Sequence, residues 1–285
     1  MPLNWGQFEG RERSAFLERP EVLRAIDEAL KAKGWGSMDE GGKVTALKQE
    51  PQEMLGDSAK EFSEHSEGMS KSKYFYIVKI VEQKLRRQGV KQPLIADLGC
   101  GPGVLTRELA EEIKDAKAVG IDLSTDMLSW AKAGAEKAAL NDRVKFLQMD
   151  AADAAGYFEQ TEGRKPDMVV SRNMIHRVPD IEKMLEAFIQ TAKDDGGMVY
   201  SVSFVSPENF DLRGLNMFLK GIRDRQPWPD LQESWTLAYL NAPTLERYQS
   251  AVNALNQKFK LKSVTVVQDN LNYLNIMIEK ATQTT

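Results

Sequence analysis

The run Asp97-Leu98-Gly99-Cys100-Gly101-Pro102-Gly103 sets three glycines within five residues, directly after the apolar stretch Leu94–Leu98. Glycine lets a chain turn tightly and brings its backbone against a ligand. A helical pattern starts at once with Val104-Leu105-Thr106-Arg107-Glu108-Leu109, so unpaired N–H groups sit beside the turn. Two more acids stand at comparable places. Asp122 closes Val119-Gly120-Ile121, 19 residues after Gly103, and Asp150-Ala151 closes Phe146-Leu147-Gln148-Met149. A carboxylate at the first place can accept hydrogen bonds from ribose hydroxyls. At the second it can accept from an exocyclic amine, and the alanine leaves room for an adenine ring. Each aspartate alone reads equally well as a helix cap or a solvated loop acid. Three strand tips in register point instead to a pocket for an adenosine-containing molecule.

Such a pocket needs parallel strands ending side by side. Residues 73–205 supply the pattern: apolar runs at Leu94–Leu98, Ala118–Asp122, Val144–Gln148, Met168–Ser171 and Met198–Phe204 alternate with amphipathic stretches near 74–88, 103–114, 125–139 and 180–193. Ser124 reads as an N-cap. Alternating strands and helices predict a parallel sheet covered on both faces. Beyond it, Leu245, Tyr248, Val252, Leu255 and Phe259 recur at helical steps. Strand-like runs at Leu261–Val267 and Tyr273–Ile278 then suggest a hairpin at the sheet edge.

Two regions stand outside the rhythm. Residues 1–72 are polar, with one helix from Pro20 through Leu30 that Gly34 and Gly36 stop. Residues 35–60 hold four glycines and many charges and read as a mobile loop. Residues 206–241 carry Phe210, Phe218, Trp228, Trp235 and Tyr239, with Pro227 and Pro229. Leu212, Leu215, Phe218 and Ile222 suit a helix there.

A dinucleotide site needs the third glycine of G-x-G-x-x-G, a position that falls here on Val104 or Thr106. The motif set instead resembles the class I S-adenosylmethionine (SAM)-dependent methyltransferases, in their small-molecule branch. Asp97–Gly103 resembles the family's first motif, Asp122 its ribose acid and Asp150-Ala151 its adenine-side pair. Asp167-Met168-Val169-Val170-Ser171, continuing through Ile175-His176-Arg177-Val178-Pro179-Asp180, resembles the fourth-strand motif. Gly196-Gly197 resembles the turn into the fifth strand.

The resemblance implies an α/β, doubly wound, mostly parallel seven-stranded sheet whose last strand is antiparallel. It implies SAM as cofactor. Gly99, Gly101 and Gly103 would approach the methionine part, with Cys100 filling a small position. Asp97 would help bind the amino group, and Ser171 or Arg172 would offer it a backbone carbonyl. Asp122, Leu123, Met127, Asp150 and Ala151 would hold the adenosine. His176 becomes the candidate general base, with a packing or capping role as the alternative. Arg177 stands where the family often has a second histidine and becomes a candidate substrate contact, suited to an anionic acceptor. His65, in a segment of the kind that closes over SAM and substrate, is a further candidate, with a surface position as the alternative.

The expected layout is an N-terminal helical extension or lid (1–72), a SAM-binding core (73–205), a helical cap insert (206–241) and a C-terminal helix with the last two strands (242–285). Phe218, Trp228, Trp235 and Tyr239 are the expected acceptor contacts in the cap. A small subdomain or a homodimer contact is the alternative for that insert.

Net charge is −4, which lacks the electrostatic footprint of a nucleic-acid binder. One cysteine forbids an intrachain disulfide, and no Cys/His cluster suggests a metal. No apolar run reaches the roughly 18 residues of a membrane span, so the reading is a cytoplasmic protein with a small-molecule substrate. The acceptor reads as apolar or aromatic with an acidic group, methylated at an O, N or C centre. Two alternatives stay open: another SAM chemistry (cyclisation, decarboxylation or elimination), or a non-catalytic SAM-binding protein.

Overall fold

The computed structural model describes residues 55–68, 74–205, 242–268 and 273–282, together with scattered positions between 20 and 45. Among the latter, Pro20, Arg24, Asp27 and Lys31 are helical, with Arg24 Nε donating to the Pro20 carbonyl, and Ser37–Met38 pairs antiparallel with Val44–Thr45.

Seven strands form one sheet: β1 (Leu94–Leu98), β2 (Lys117–Asp122), β3 (Val144–Gln148), β4 (Met168–Arg172), β5 (Met198–Phe204), β6 (Ser263–Gln268) and β7 (Tyr273–Glu279). Their spatial order is β3-β2-β1-β4-β5-β7-β6. The first five are parallel, and β7 enters antiparallel between β5 and β6. The expected edge hairpin is therefore present, with β6 as the outer strand. Order reverses between β1 and β4, and ligands of open α/β sheets bind in the crevice beyond the strand ends at such a switch.

The helices are α1 (Gly56–Gly68), α2 (Phe75–Arg87), α3 (Val104–Glu112), α4 (Thr125–Lys137), α5 (Ile181–Thr191) and α6 (Leu245–Phe259). Capping fixes three starts: the side chains of Ser124, Asp180 and Thr244 accept from the backbone N–H of Met127, Lys183 and Arg247. Each such cap stabilises by about 1 kcal/mol. The sheet separates two apolar layers. Ile77, Val81 and Leu85 of α2 and Leu105 and Leu109 of α3 pack on Ile95, Met168 and Val170. Leu185 and Phe188 of α5 and Tyr248 and Leu255 of α6 pack on Leu98, Val169 and Val199. Asp167 sits at the opposite end of β4 from the crevice. Its carboxylate accepts from Leu94 N (2.9 Å) and from Lys193 Nζ (2.8 Å), so it locks the sheet's lower edge.

Two stretches differ from expectation. Residues 56–60 belong to α1 rather than to a loop. Residues Ala151–Glu162 form a short helical run ending in a π turn, with Phe158 fully buried as its anchor. Among the described residues no helix is long and apolar enough to cross a membrane.

Candidate active site

A cavity of about 310 Å³ opens beyond the carboxyl ends of β1 to β5. Its first wall is the glycine turn. Gly99, Gly101 and Gly103 all take positive φ, the left-handed region that costs other residues roughly 1–2 kcal/mol. At Gly103 a Cβ would also come within 2.8 Å of Phe146 and Ala131, and at Gly99 one would strike Met174. Gly103 thus packs inward and does not line the cavity, whereas Gly99, Cys100 and Gly101 do.

Asp122 holds this turn in place. Its Oδ2 accepts from Gly101 N (2.8 Å) and its Oδ1 from Ser124 N (2.9 Å). The Ile121 carbonyl accepts from the N–H groups of Gly99 and Cys100. Asp122 also lines the cavity, where a carboxylate can accept from ribose hydroxyls. Asp150 caps the turn after β3 through Ala152 N (2.9 Å) and lines the cavity with Ala151, Leu123 and Met127. Cys100 is buried, and that burial, followed by Asp122 and Asp97, raises its thiol pKa well above the usual value, so it stays protonated.

Asp97 is 1% exposed and accepts from Thr106 Oγ1 at 2.6 Å. Burial raises its carboxyl to about 7, opposed by the Thr106 bond and reinforced by Asp122. A buried carboxylate in this state gains from a cation brought beside it. The site therefore fits the methionine ammonium, and the turn with Asp122 and Asp150 fits the adenosine.

Beyond β4 the wall is made of side chains. Arg172, Asn173, Met174, His176, Arg177 and Lys183 line it. Ser171 faces the sheet interior, buried and away from the cavity. Asn173 takes φ +60° and leaves Oδ1 buried without a partner among the described residues.

His176 is 6% exposed, and its ring meets Phe204 edge-on at 4.8 Å. Its backbone N–H donates to Ser203 Oγ (3.1 Å), and Nδ1 lies 3.0 Å from the same oxygen. The Tyr248 hydroxyl lies 3.1 Å from Ser203 Oγ and 3.1 Å from the Phe204 carbonyl. A single phenolic proton cannot serve both acceptors. All four contacts are hydrogen bonds only when Tyr248 donates to Phe204, Ser203 to Tyr248 and Nδ1–H to Ser203. That order leaves Nε2 as a bare acceptor, buried and without a partner among the described residues. Burial, and then Arg177, lowers the imidazole pKa well below 6.5, which keeps it neutral.

Helix α1 closes the last side. Phe62 lines the cavity over Gly101, Gly56 N donates to Asp126 Oδ2 (2.7 Å), and Glu67 pairs with Arg107. His65 rides on this helix but does not line the cavity. Phe218, Trp228, Trp235 and Tyr239 lie outside the described residues. Sequence reasoning missed Phe62, Tyr74, Asn173 and Lys183. A polar helix and single residues after a strand leave no periodic signal.

Residues 93–228 match a family model described as a methyltransferase domain. Trans-aconitate 2-methyltransferase of Streptomyces avermitilis is 37% identical over 117 residues, covering 41% of this chain and 40% of that protein. Ubiquinone biosynthesis O-methyltransferase of Psychrobacter cryohalolentis is 29% identical over 132 residues, covering 45% and 48%. The chain thus spans under half the length of these two relatives. Among solved structures, the plantazolicin methyltransferase BamL, in complex with a triazolic desmethylPZN analog and SAH, aligns with TM-score 0.59 at 14% identity. That alignment covers 91% of this chain and 98% of BamL. An O-methyltransferase family protein of Burkholderia thailandensis aligns with TM-score 0.51 at 13% identity, covering 73% and 56%. The strand order and the glycine turn agree with these likenesses: the fold is that of the class I SAM-dependent methyltransferases, and residues 93–228 match a methyltransferase domain.

Proposed function

We propose that this protein transfers the methyl group of SAM to a small-molecule acceptor that carries an acidic group, with His176 taking the proton that the acceptor sheds. The observation that carries this reading is the bare Nε2 of a neutral, buried His176 on the cavity wall. SAM supplies an already activated methyl on a sulfonium. What remains for the protein is alignment and proton management, which contribute several kcal/mol and about a hundredfold or more respectively.

Asp122 and Asp150 hold the adenosine from the cavity wall, and Asp97 accepts from the ammonium. The turn backbone at Gly99–Gly101 approaches the methionine chain. His176 receives the acceptor proton at Nε2 while its Nδ1–H stays on Ser203. Phe204, Met174 and Phe62 keep the cavity apolar, which strengthens each of these polar contacts. Arg177 and Lys183 give the acceptor end positive charge, in keeping with an anionic acceptor. One relative named above takes its name from such an anion, trans-aconitate.

The test is incubation of the purified protein with SAM and a metabolite extract, followed by mass spectrometry. A new species heavier by one methylene, appearing with S-adenosylhomocysteine, is the expected result. SAM binding without any methylated product would favour another chemistry at the same pocket. Failure to bind either SAM or S-adenosylhomocysteine would remove the reading altogether.

A further inference from the structure

Arg172 lines the cavity with its side chain. It is the last residue of β4, at the switch point beside β1. Its guanidinium carbon lies 4.8 Å from the ring centre of Tyr74, itself 5% exposed. Stacking of this kind fixes the plane of a guanidinium and leaves its edge N–H groups to point elsewhere. Among the described residues they meet no protein acceptor. Arg172 makes no ion pair or hydrogen bond among the described residues, and its Nε is buried without a partner. A buried donor left unmade costs about 1–3 kcal/mol, and more when charged.

Asp97 lies close by. It is the next-to-last residue of β1, shares the electrostatic environment of Tyr74 with Arg172, and lines the same cavity. The two opposite groups do not pair with each other. Among the described residues one wall therefore presents an acceptor without a cation and a fork-shaped donor without an anion. The free amino-acid end of a molecule such as SAM is a zwitterion and supplies both partners at once.

We infer that the Arg172 side chain binds the α-carboxylate of the methionine moiety, with Tyr74 as its platform and Asp97 taking the adjacent ammonium. This inference rests on the proposed SAM site and assigns Arg172 a side-chain role instead of the backbone carbonyl expected from sequence. A planar fork suits a carboxylate bidentately, which lysine does not. The pair also explains selectivity: the site would reject adenosine compounds that lack a carboxylate even when ribose and adenine are intact.

Isothermal titration with four ligands tests this: SAM, S-adenosylhomocysteine, decarboxylated SAM and 5′-methylthioadenosine. The wild-type protein should bind SAM roughly 10- to 100-fold more tightly than decarboxylated SAM, the scale of a lost charge-assisted hydrogen bond. Arg172→Gln should remove that difference by weakening SAM and S-adenosylhomocysteine while leaving the other two within about twofold. Asp97→Asn should instead weaken SAM and decarboxylated SAM together and spare methylthioadenosine. Methylthioadenosine binding verifies folding, and Arg172→Lys, read in the same way, replaces Arg172→Gln if that variant does not fold. Equal wild-type affinity for SAM and decarboxylated SAM overturns the inference, as does equal weakening of both by the substitution. Absence of binding to any of the four defeats the SAM site itself, a separate outcome.

Discussion

The two flanks of the cavity are held by different kinds of contact. On the β2 and β3 side, main chain does most of the holding: Gly99 and Cys100 donate to Ile121, Gly101 donates to Asp122, and Ser124 caps α4. On the β4 and β5 side, side chains hold one another: His176 on Ser203, Ser203 on Tyr248, and Arg172 over Tyr74. A backbone-built flank has few degrees of freedom and suits a ligand that never changes. A side-chain-built flank can be rebuilt by single substitutions and suits an acceptor that differs between relatives. Function should therefore separate along nearly the same line, with donor affinity on the β2 and β3 side and at Arg172 on the switch-point seam, and turnover at His176, Ser203 and Tyr248.

The sharpest separation should come from His176. His176→Ala is expected to lower turnover by about a hundredfold or more, the usual contribution of a general base. SAM affinity measured by titration should stay within about twofold. Equal turnover in variant and wild type would return His176 to a packing role, and a matching loss of SAM affinity would break the division between flanks.

Asp122 is the reciprocal case. Asp122→Ala removes two backbone acceptor bonds and the ribose partner. SAM affinity should fall roughly 10- to 100-fold, in line with charged hydrogen bonds of about 1.5–3 kcal/mol. Under saturating SAM, kcat should change far less than affinity. Unchanged affinity would place ribose recognition on another residue.

The flanks should also differ in their response to pH. His176 is held neutral in the folded state, with its pKa well below 6.5, so below that pH the unfolded chain binds more protons than the folded one. Stability contributed at this site therefore rises with pH up to about 6.5 and is lost as pH falls, by at most about 1.4 kcal/mol per pH unit. His176→Gln should flatten that part of the wild-type profile in denaturant titrations between pH 5 and 7. Asp97 has the opposite sign. Its carboxyl is raised to about 7, so it holds its proton in the folded state where the unfolded chain has released it. SAM binding near pH 6.5 should accordingly release protons, seen as a dependence of binding enthalpy on buffer ionisation heat. Asp97→Asn should abolish this release.

The backbone-built flank was also the legible one. β1 is buried at every position and reads as an apolar run broken only by Asp97, and Gly99 and Gly103 mark places where a Cβ cannot fit. The acids ending β2 and β3 then followed from register. Helix α1 was not legible because its inward face is made of Ala59, Ser63 and Ser66 around Phe62, small or polar residues without an apolar period. The run after Asp150 was hidden for a similar reason: Phe158 is its one large buried side chain. Tyr248 was read correctly as a core residue of α6, but its hydroxyl meets a serine 45 positions earlier in the chain, and no local spacing encodes that contact.

That long-range contact carries the smallest of the expected effects and the most specific one. Tyr248→Phe keeps the ring in the core and removes the hydroxyl that accepts from Ser203 and donates to the Phe204 carbonyl. The stability cost should be about 1 kcal/mol, typical of one net hydrogen bond. Without this anchor Ser203 can turn its proton toward Nδ1, and the imidazole proton then moves to Nε2, the wrong nitrogen for a base. Turnover should fall severalfold with SAM affinity intact. The chain has two histidines, so ¹⁵N spectra of wild type and His65→Gln assign His176 without ambiguity. The wild-type ring should show the Nδ1-protonated tautomer, and the Tyr248→Phe ring a larger share of the other. A wild-type ring protonated at Nε2 would reverse the hydrogen-bond order and make His176 a donor to the acceptor molecule instead of its base.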